Sequence, residues 1–106
     1  MVDINNLENM LASGQDTALL RLTLGNAFIR HGKFDQAVQH LARAVELDPG
    51  YSAAWKAYGK ALAELGRSDE AAATYRKGIT VAHGRGDKQA AREMEVFLKR
   101  LEKSKQ

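Results

Sequence analysis

The sequence contains no cysteine, so a disulfide scaffold, a thiol nucleophile and a cysteine-based zinc site are all excluded. It has a single proline in 106 residues, which leaves room for long helices and removes collagen-like and proline-rich architectures. No window approaches the ~18 consecutive apolar residues of a membrane-spanning helix. The opening stretch, MVDINNLENM, places Asp3 and asparagines where a secretory signal would need a basic start and an apolar run. A cytoplasmic location is the expectation. Neither sign of charge dominates: 16 Lys+Arg against 13 Asp+Glu give +3. Positions 1–84 hold nine of each sign, and positions 85–106 hold seven basic and four acidic, so the whole excess lies in that terminal segment. Three charges on one terminal segment make a weak field, and basic residues near a helix C-terminus suit its dipole.

What is present is ordinary globular composition, with 44% hydrophobic and 27% charged residues. The length suffices for one domain and is too short for two independent cores. Gly14, Gly32, Asp48-Pro49-Gly50, Gly66 and Gly84-Arg85-Gly86 punctuate the chain at nearly even intervals. Between them the apolar positions recur at helical spacing. Leu20, Leu24, Ala27 and Phe28 share one face; so do Ala37, Val38, Leu41, Ala44 and Val45. Trp55, Tyr58, Ala61, Leu62 and Leu65 form a third stripe, and Ala71, Ala72, Tyr75 and Ile79 a fourth. No stretch alternates with period two. The pattern predicts an all-α fold of five helices, with a sixth if the N-terminus is helical. Asp16 or Thr17 can cap the helix beginning near Ala18. Asp35, Ser52 and Ser68 (with Asp69 and Glu70 behind it) can open the next three. Gly86-Asp87 opens a last helix running through Ala90, Met94, Phe97 and Leu101.

The chain also repeats itself: slid along its own length, 18–51 superimposes on 52–85. Gly25 then meets Gly59, Ala27 meets Ala61, Gly32 meets Gly66, Asp35 meets Asp69, Ala37 meets Ala71 and Gly50 meets Gly84. Phe28/Leu62, Arg43/Lys77 and Val45/Ile79 match in character. Each unit is a helix, a short turn and a second helix. Small residues at Gly25, Gly59, Ala37 and Ala71 let antiparallel helices approach closely, and Leu24, Phe28, Leu41, Tyr58, Leu62 and Tyr75 fill the space beside them.

On these residues the chain resembles the tetratricopeptide repeat family. The second unit supplies Trp55, Tyr58-Gly59, Leu62, Ala71, Tyr75 and Gly78; the first supplies Leu24-Gly25, Phe28, Gly32, Ala37, Leu41, Ala44 and Pro49. The resemblance implies a right-handed α-solenoid of two helical hairpins, repeat 1 at 18–51 and repeat 2 at 52–85. An N-terminal half-repeat at 4–13 and a helix at 87–103 would cap it, with polar outer faces that keep the ends in solution. Three positions depart from the pattern. Arg21 stands where a large aromatic is usual, leaving the first helix open to solvent on that side. His83 replaces a proline, so the second unit ends less sharply. Ser68 replaces an aromatic, which weakens the turn before it.

The resemblance also implies that the first helix of each unit lines a concave surface that holds a peptide segment of a partner protein. By spacing, that surface presents Leu22, Asn26, Ile29 and Arg30 from the first unit, beside Leu19 and Thr23. Lys56 and Lys60 come from the second, beside Ala53, Ala57 and Ala63. Lys56 and Lys60 are i,i+4 neighbours on one helix face with no acid between them on that face. A surface half aliphatic and half basic suits a segment with an apolar residue and a carboxylate. Some family members clamp a C-terminal carboxylate with lysines, asparagines and an arginine. Asn26 matches one clamp asparagine, whereas Leu22 and Ala57 depart from the clamp and the third unit is missing.

No catalytic constellation emerges. His31, His40 and His83 do not form a metal pair at helical spacing. Ser13, Ser52, Ser68 and Ser104 lie at helix boundaries or in the tail. No cofactor is implied. The expected function is a noncatalytic protein–protein interaction module, without membrane or nucleic-acid partner, monomeric or weakly dimeric. An alternative is a homo-oligomeric assembly protein pairing through Met10, Leu11, Phe97 and Leu101 at the cap edges. Nucleic-acid binding would use Lys99, Arg100, Lys103 and Lys105 and would fall steeply with salt.

Overall fold

The glycines at the punctuation points end their helices by one mechanism. In the computed structural model, which describes residues 3–104, Gly32 has φ +71 and Gly66 φ +76. An L side chain rarely adopts that conformation. The amide of Gly32 donates to Ile29 O and that of Lys33 to Phe28 O; Gly66 donates to Ala63 O and Arg67 to Leu62 O. The paired bonds satisfy carbonyls that a helix end leaves open. Gly14 and Gly86 make the same pair of bonds. With Ser68 in place of the aromatic, the second turn keeps the same pair of backbone bonds as the first.

Six helices result: α1 Ile4–Ala12, α2 Ala18–Arg30, α3 Phe34–Leu47, α4 Ser52–Glu64, α5 Ser68–Gly84 and α6 Lys88–Ser104. No strand occurs among the described residues. Thr17 caps α2 by accepting from the Leu20 amide at 3.1 Å. Asp87 caps α6 by accepting from the Ala90 amide at 3.1 Å. The other expected caps differ. Helices α3, α4 and α5 start after Lys33, Tyr51 and Arg67, none of which makes a side-chain cap bond. Ser52 lies inside α4 and donates to Asp87 Oδ2 at 2.8 Å instead, joining the starts of α4 and α6. At 48–51 the chain turns on Asp48, whose carbonyl accepts from Tyr51 N and whose carboxylate accepts from Gly50 N. With His83 in place of proline, α5 runs for 17 residues where α3 runs for 14.

Packing follows the small-residue seats. A Cβ built on Gly25 would lie 2.5 Å from Leu41, one on Gly59 2.5 Å from the Tyr75 ring, and one on Gly78 2.5 Å from Met94 Sδ. Each glycine thus seats a large side chain of the helix that follows. Leu24, Leu41, Leu62 and Met94 are the largest fully buried side chains. They come from α2, α3, α4 and α6, so one core runs the length of the stack. The chain is correspondingly elongated, 44 × 28 × 22 Å.

Arg21 is the chief correction to the packing. It does not leave α2 open: its side chain is only 19% exposed. The guanidinium bonds both Asp16 oxygens, at 2.7 and 3.2 Å, and donates to His40 Nδ1 at 3.1 Å. His40 in turn lies flat on Phe28, with ring centroids 5.5 Å apart and planes within 3°. An ionic and aromatic stack from α2 and α3 fills the place of the missing aromatic. Burial, and then the Arg21 charge, hold the His40 pKa below its usual 6.5, against the weaker pull of Glu8 and Asp16. The folded state therefore keeps His40 neutral while the unfolded chain takes up a proton as pH falls through about 6.5. The contribution of His40 is complete above that pH and is lost progressively below it, toward the lower folded pKa. Thermal melts at pH 7.5 and 5 should show wild type losing more stability on acidification than His40→Gln. Equal losses would mean that His40 is not protected. The carboxyls of Asp16 and Asp87 also sit below their ordinary 3.8, each mainly through a side-chain hydrogen bond, from Arg21 and Ser52 respectively. They act only in the more acid range.

Candidate partner-binding groove

The first helices of successive units touch, α2 with α4 and α4 with α6, while the second helices α3 and α5 do not touch each other. The stack therefore bends, with α2, α4 and α6 on the inside. A groove of about 330 Å³ opens on that inner side. Asn26 and Ile29 of α2 form one wall, Lys56, Ala57 and Lys60 of α4 the floor, and Glu93 and Phe97 of α6 the other wall.

Four of the six residues predicted for the concave surface, Asn26, Ile29, Lys56 and Lys60, come together here. Leu22 does not. It is 8% exposed and belongs to the core, because α2 is flanked by α1, α3 and α4 and keeps little free surface for an apolar side chain. Arg30 is exposed at the end of α2, outside the groove lining. Leu19, on the first turn of α2, is 64% exposed.

The groove also contains an acid that helical spacing within α4 does not reveal. Glu93 Oε1 lies 3.3 Å from Lys56 Nζ, so the two lysines are not equivalent. Lys56 is tied to α6, whereas Lys60 is exposed and makes no ion pair among the described residues. Glu93 and Phe97 were not among the residues predicted for the concave surface, Phe97 having been expected at a cap edge. Their signal lay in treating α6 as the first helix of an unfinished third unit, which sets it beside α4. Its apolar stripe then divides: Ala90 and Met94 are buried, while Phe97 and Leu101 are half-buried and face the inner surface.

The remaining candidates sit apart. His31 terminates α2 through its backbone, and His83 Nε2 lies 3.3 Å from Glu95 on the surface. No group of three or more metal-ligating side chains that could hold an ion occurs among the described residues, and none of their helices is long and apolar enough to cross a membrane. Lys99, Arg100 and Lys103 are exposed along α6; Lys105 lies outside the described residues. At the cap edges Met10 is 40% exposed and Leu11 half-buried, but Phe97 and Leu101 turn inward instead of outward.

A scan against protein families matches the tetratricopeptide repeat over residues 22–89, well over half of the chain. The chain belongs to the tetratricopeptide repeat family. The TPR repeat-containing protein PA0015 of Pseudomonas aeruginosa is 45% identical over 102 residues, spanning 96% of this chain and 97% of that one. The solution structure of protein BPP2914 from Bordetella parapertussis is 42% identical, covers 98% of this chain and 90% of that one, and superimposes with a TM-score of 0.84. The TPR2B domain of yeast Sti1, in its pHsp70 complex, superimposes at 0.88 over 95% of this chain and 81% of that one. Its identity is 17%, a likeness of fold alone. The tetratricopeptide repeat is typically a noncatalytic protein-interaction fold, and this chain builds it as a helical solenoid.

Proposed function

We propose that the protein acts without catalysis, by holding an extended segment of a partner protein in the inner groove between α2, α4 and α6. The observation that carries this reading is the groove itself. Residues far apart in sequence, Asn26, Ile29, Lys60 and Phe97, converge on one hollow that mixes aliphatic, amide, aromatic and cationic groups. Such a surface can receive a peptide main chain and read its side chains. The complex of the structurally similar Sti1 domain supports the reading at the level of fold.

Lys60→Glu is the substitution that tests it. Lys56→Glu would set two carboxylates face to face across the groove and confuse binding with folding, because Glu93 already lies 3.3 Å from the lysine. Lys60 has no such partner. Reversing its charge should weaken retention of a partner by roughly tenfold, the scale of a charge change at an interface. Lys77→Glu, on the exposed side of α5, should leave retention unchanged. Quantitative pull-down with wild type and both variants measures it. Equal recovery of the same partners by wild type and Lys60→Glu would overturn the groove reading.

A further inference from the structure

The last helix sorts its charges into rows. Lys88, Arg92, Lys99 and Lys103 follow one another along α6 at spacings of four, seven and four residues, which puts them on one helical face. All four are exposed, and none makes an ion pair among the described residues. The acids of α6 are turned aside. Glu93 Oε1 lies 3.3 Å from Lys56 Nζ, Glu95 Oε1 lies 3.3 Å from His83 Nε2, and Glu102 Oε2 accepts from Arg76 at 3.0 Å. Each of these acids thus leans onto α4 or α5, and the face turned away from both helices keeps only cations. Arg100, which sequence spacing groups with Lys99 and Lys103, lines the inner surface beside Phe97 and Leu101 instead.

Helix stability does not explain the row. Lys103 is in the last turn, where a cation suits the negative end of the helix dipole. Lys88 and Arg92 stand in the first two turns, at the positive end, where a cation is unfavourable, and the first turn has no acid to offset them. A solenoid end needs a polar outer face to stay in solution, but charges of either sign supply that.

The kind of occupant follows from what else the face lacks. Val96, 42% exposed, is its one exposed large apolar side chain. A protein–protein contact is built round an apolar centre, and a helix lying in a membrane surface needs an apolar face. A second copy offers no matching row of acids: on α1, at the far end of the stack, Asp3 is taken up by the Asn5 amide and only Glu8 is left. Phe97, the one aromatic of α6, faces the groove on the other side of the helix, so no ring is placed to stack on a base. Phosphates need none of these features. From Lys88 to Lys103 the row runs roughly 22 Å at the rise of an α-helix, the length over which one strand of a duplex sets about six phosphates.

We propose that the outer face of α6 is a nucleic-acid docking surface that holds the phosphate backbone of a duplex without reading its sequence. Lys88, Arg92, Lys99 and Lys103 each neutralise a phosphate. The helix lies along the strand and does not enter a groove, because α4 and α5 cover its other side. The face is separate from the inner groove, so nucleic acid and a partner protein can be held together.

Fluorescence anisotropy of the full chain with short labelled duplexes of DNA and of RNA, each in two unrelated sequences, tests the assignment. Affinity should differ by less than about twofold between sequences, as phosphate contacts carry no base information. It should fall on the order of a hundredfold between about 50 and 200 mM salt, the dependence expected of four neutralised phosphates. Arg92→Gln/Lys99→Gln should weaken all sequences alike and reduce the salt slope by about two, while the circular dichroism melt stays as in wild type. Lys77→Gln, on the exposed side of α5, should leave the slope unchanged. Binding of either duplex in this manner supports the assignment, and a preference between DNA and RNA identifies which supplies the phosphates. No binding at low salt, or a slope that Arg92→Gln/Lys99→Gln leaves unaltered or that Lys77→Gln lowers as much, overturns it. Three further results overturn it by giving the face another occupant. Tighter binding of poly-glutamate than of the duplexes assigns it to an acidic protein. Retention only on vesicles of equimolar phosphatidylserine and phosphatidylcholine assigns it to a membrane. Salt-sensitive self-association abolished by Glu8→Gln assigns it to a second copy.

Discussion

Gly59→Val is expected to lower the thermal midpoint by about 10–20 °C. A Cβ at this position would lie 2.5 Å from Cε1 and 2.6 Å from Cδ1 of Tyr75, closer than atoms can stand. A flexible side chain could swing aside. Tyr75 is a rigid ring, 3% exposed and backed by Phe97, so the helices themselves must separate. Overpacking of this kind costs about 1–3 kcal/mol and at times more. Valine recovers only a few tenths of a kcal/mol, roughly, through its better helix propensity. At about 4–8 °C per kcal/mol for a domain near this size, a net loss of ~2–3 kcal/mol gives the stated shift. Gly84→Ala is the matched control. A Cβ there meets nothing within 4 Å, and Gly84 ends α5 without positive φ. Alanine should raise the midpoint slightly by favouring the helix. Circular dichroism melts measure both. A Gly59→Val midpoint within about 2 °C of wild type, a fraction of what one kcal/mol produces, would show that the α4–α5 contact is not the tight seat that the glycine implies.

That seat was legible in the sequence, and the reason is physical. The pairing of Gly59 with Tyr75, and of Gly25 with Leu41, belongs to one hairpin whose turn fixes the register, and the same solution recurs in both repeats. Local spacing therefore carries it. The concave positions Asn26, Ile29, Lys56 and Lys60 were legible for the same reason. What escaped depends on the relative placement of elements. The Lys56–Glu93 pair joins positions far apart in the chain and exists only because α6, which lacks the repeat signature, lies beside α4. Leu22 belongs to the core because α1, α3 and α4 all press on α2, and no pattern within α2 reports that. Arg21 reads alone as a solvated intrusion in an aromatic position. Its role requires Asp16 before it and His40 after it, stacked on Phe28. Each contact is ordinary, and only the fold brings the three together.

The last helix is where stability and the binding surface meet, so Met94→Ala should separate them. Met94 is fully buried in the seat left by Gly78, where a Cβ would also meet Trp55 Cβ at 2.8 Å. Truncation removes most of the side chain and leaves a cavity, at a cost of about 2–5 kcal/mol. In a linear stack each layer contacts only its neighbours. Helix α6 touches only α5 and α4, so the loss should fall on α6 and leave α2 and α3 nearly untouched. Amide exchange across 88–104 should accelerate by roughly a hundredfold, the equivalent of ~2.7 kcal/mol, while amides in α2 and α3 keep their wild-type rates. Uniform acceleration would show instead that the solenoid opens as one cooperative unit. Phe97, Arg100 and Leu101 ride on α6, so partner binding should fall in the same proportion as the ordered fraction of that helix. Restoring the order should restore the binding. The chain would then use a terminal element, packed only against α4 and α5, as a wall of its proposed binding groove, which ties recognition to the order of one end of the stack.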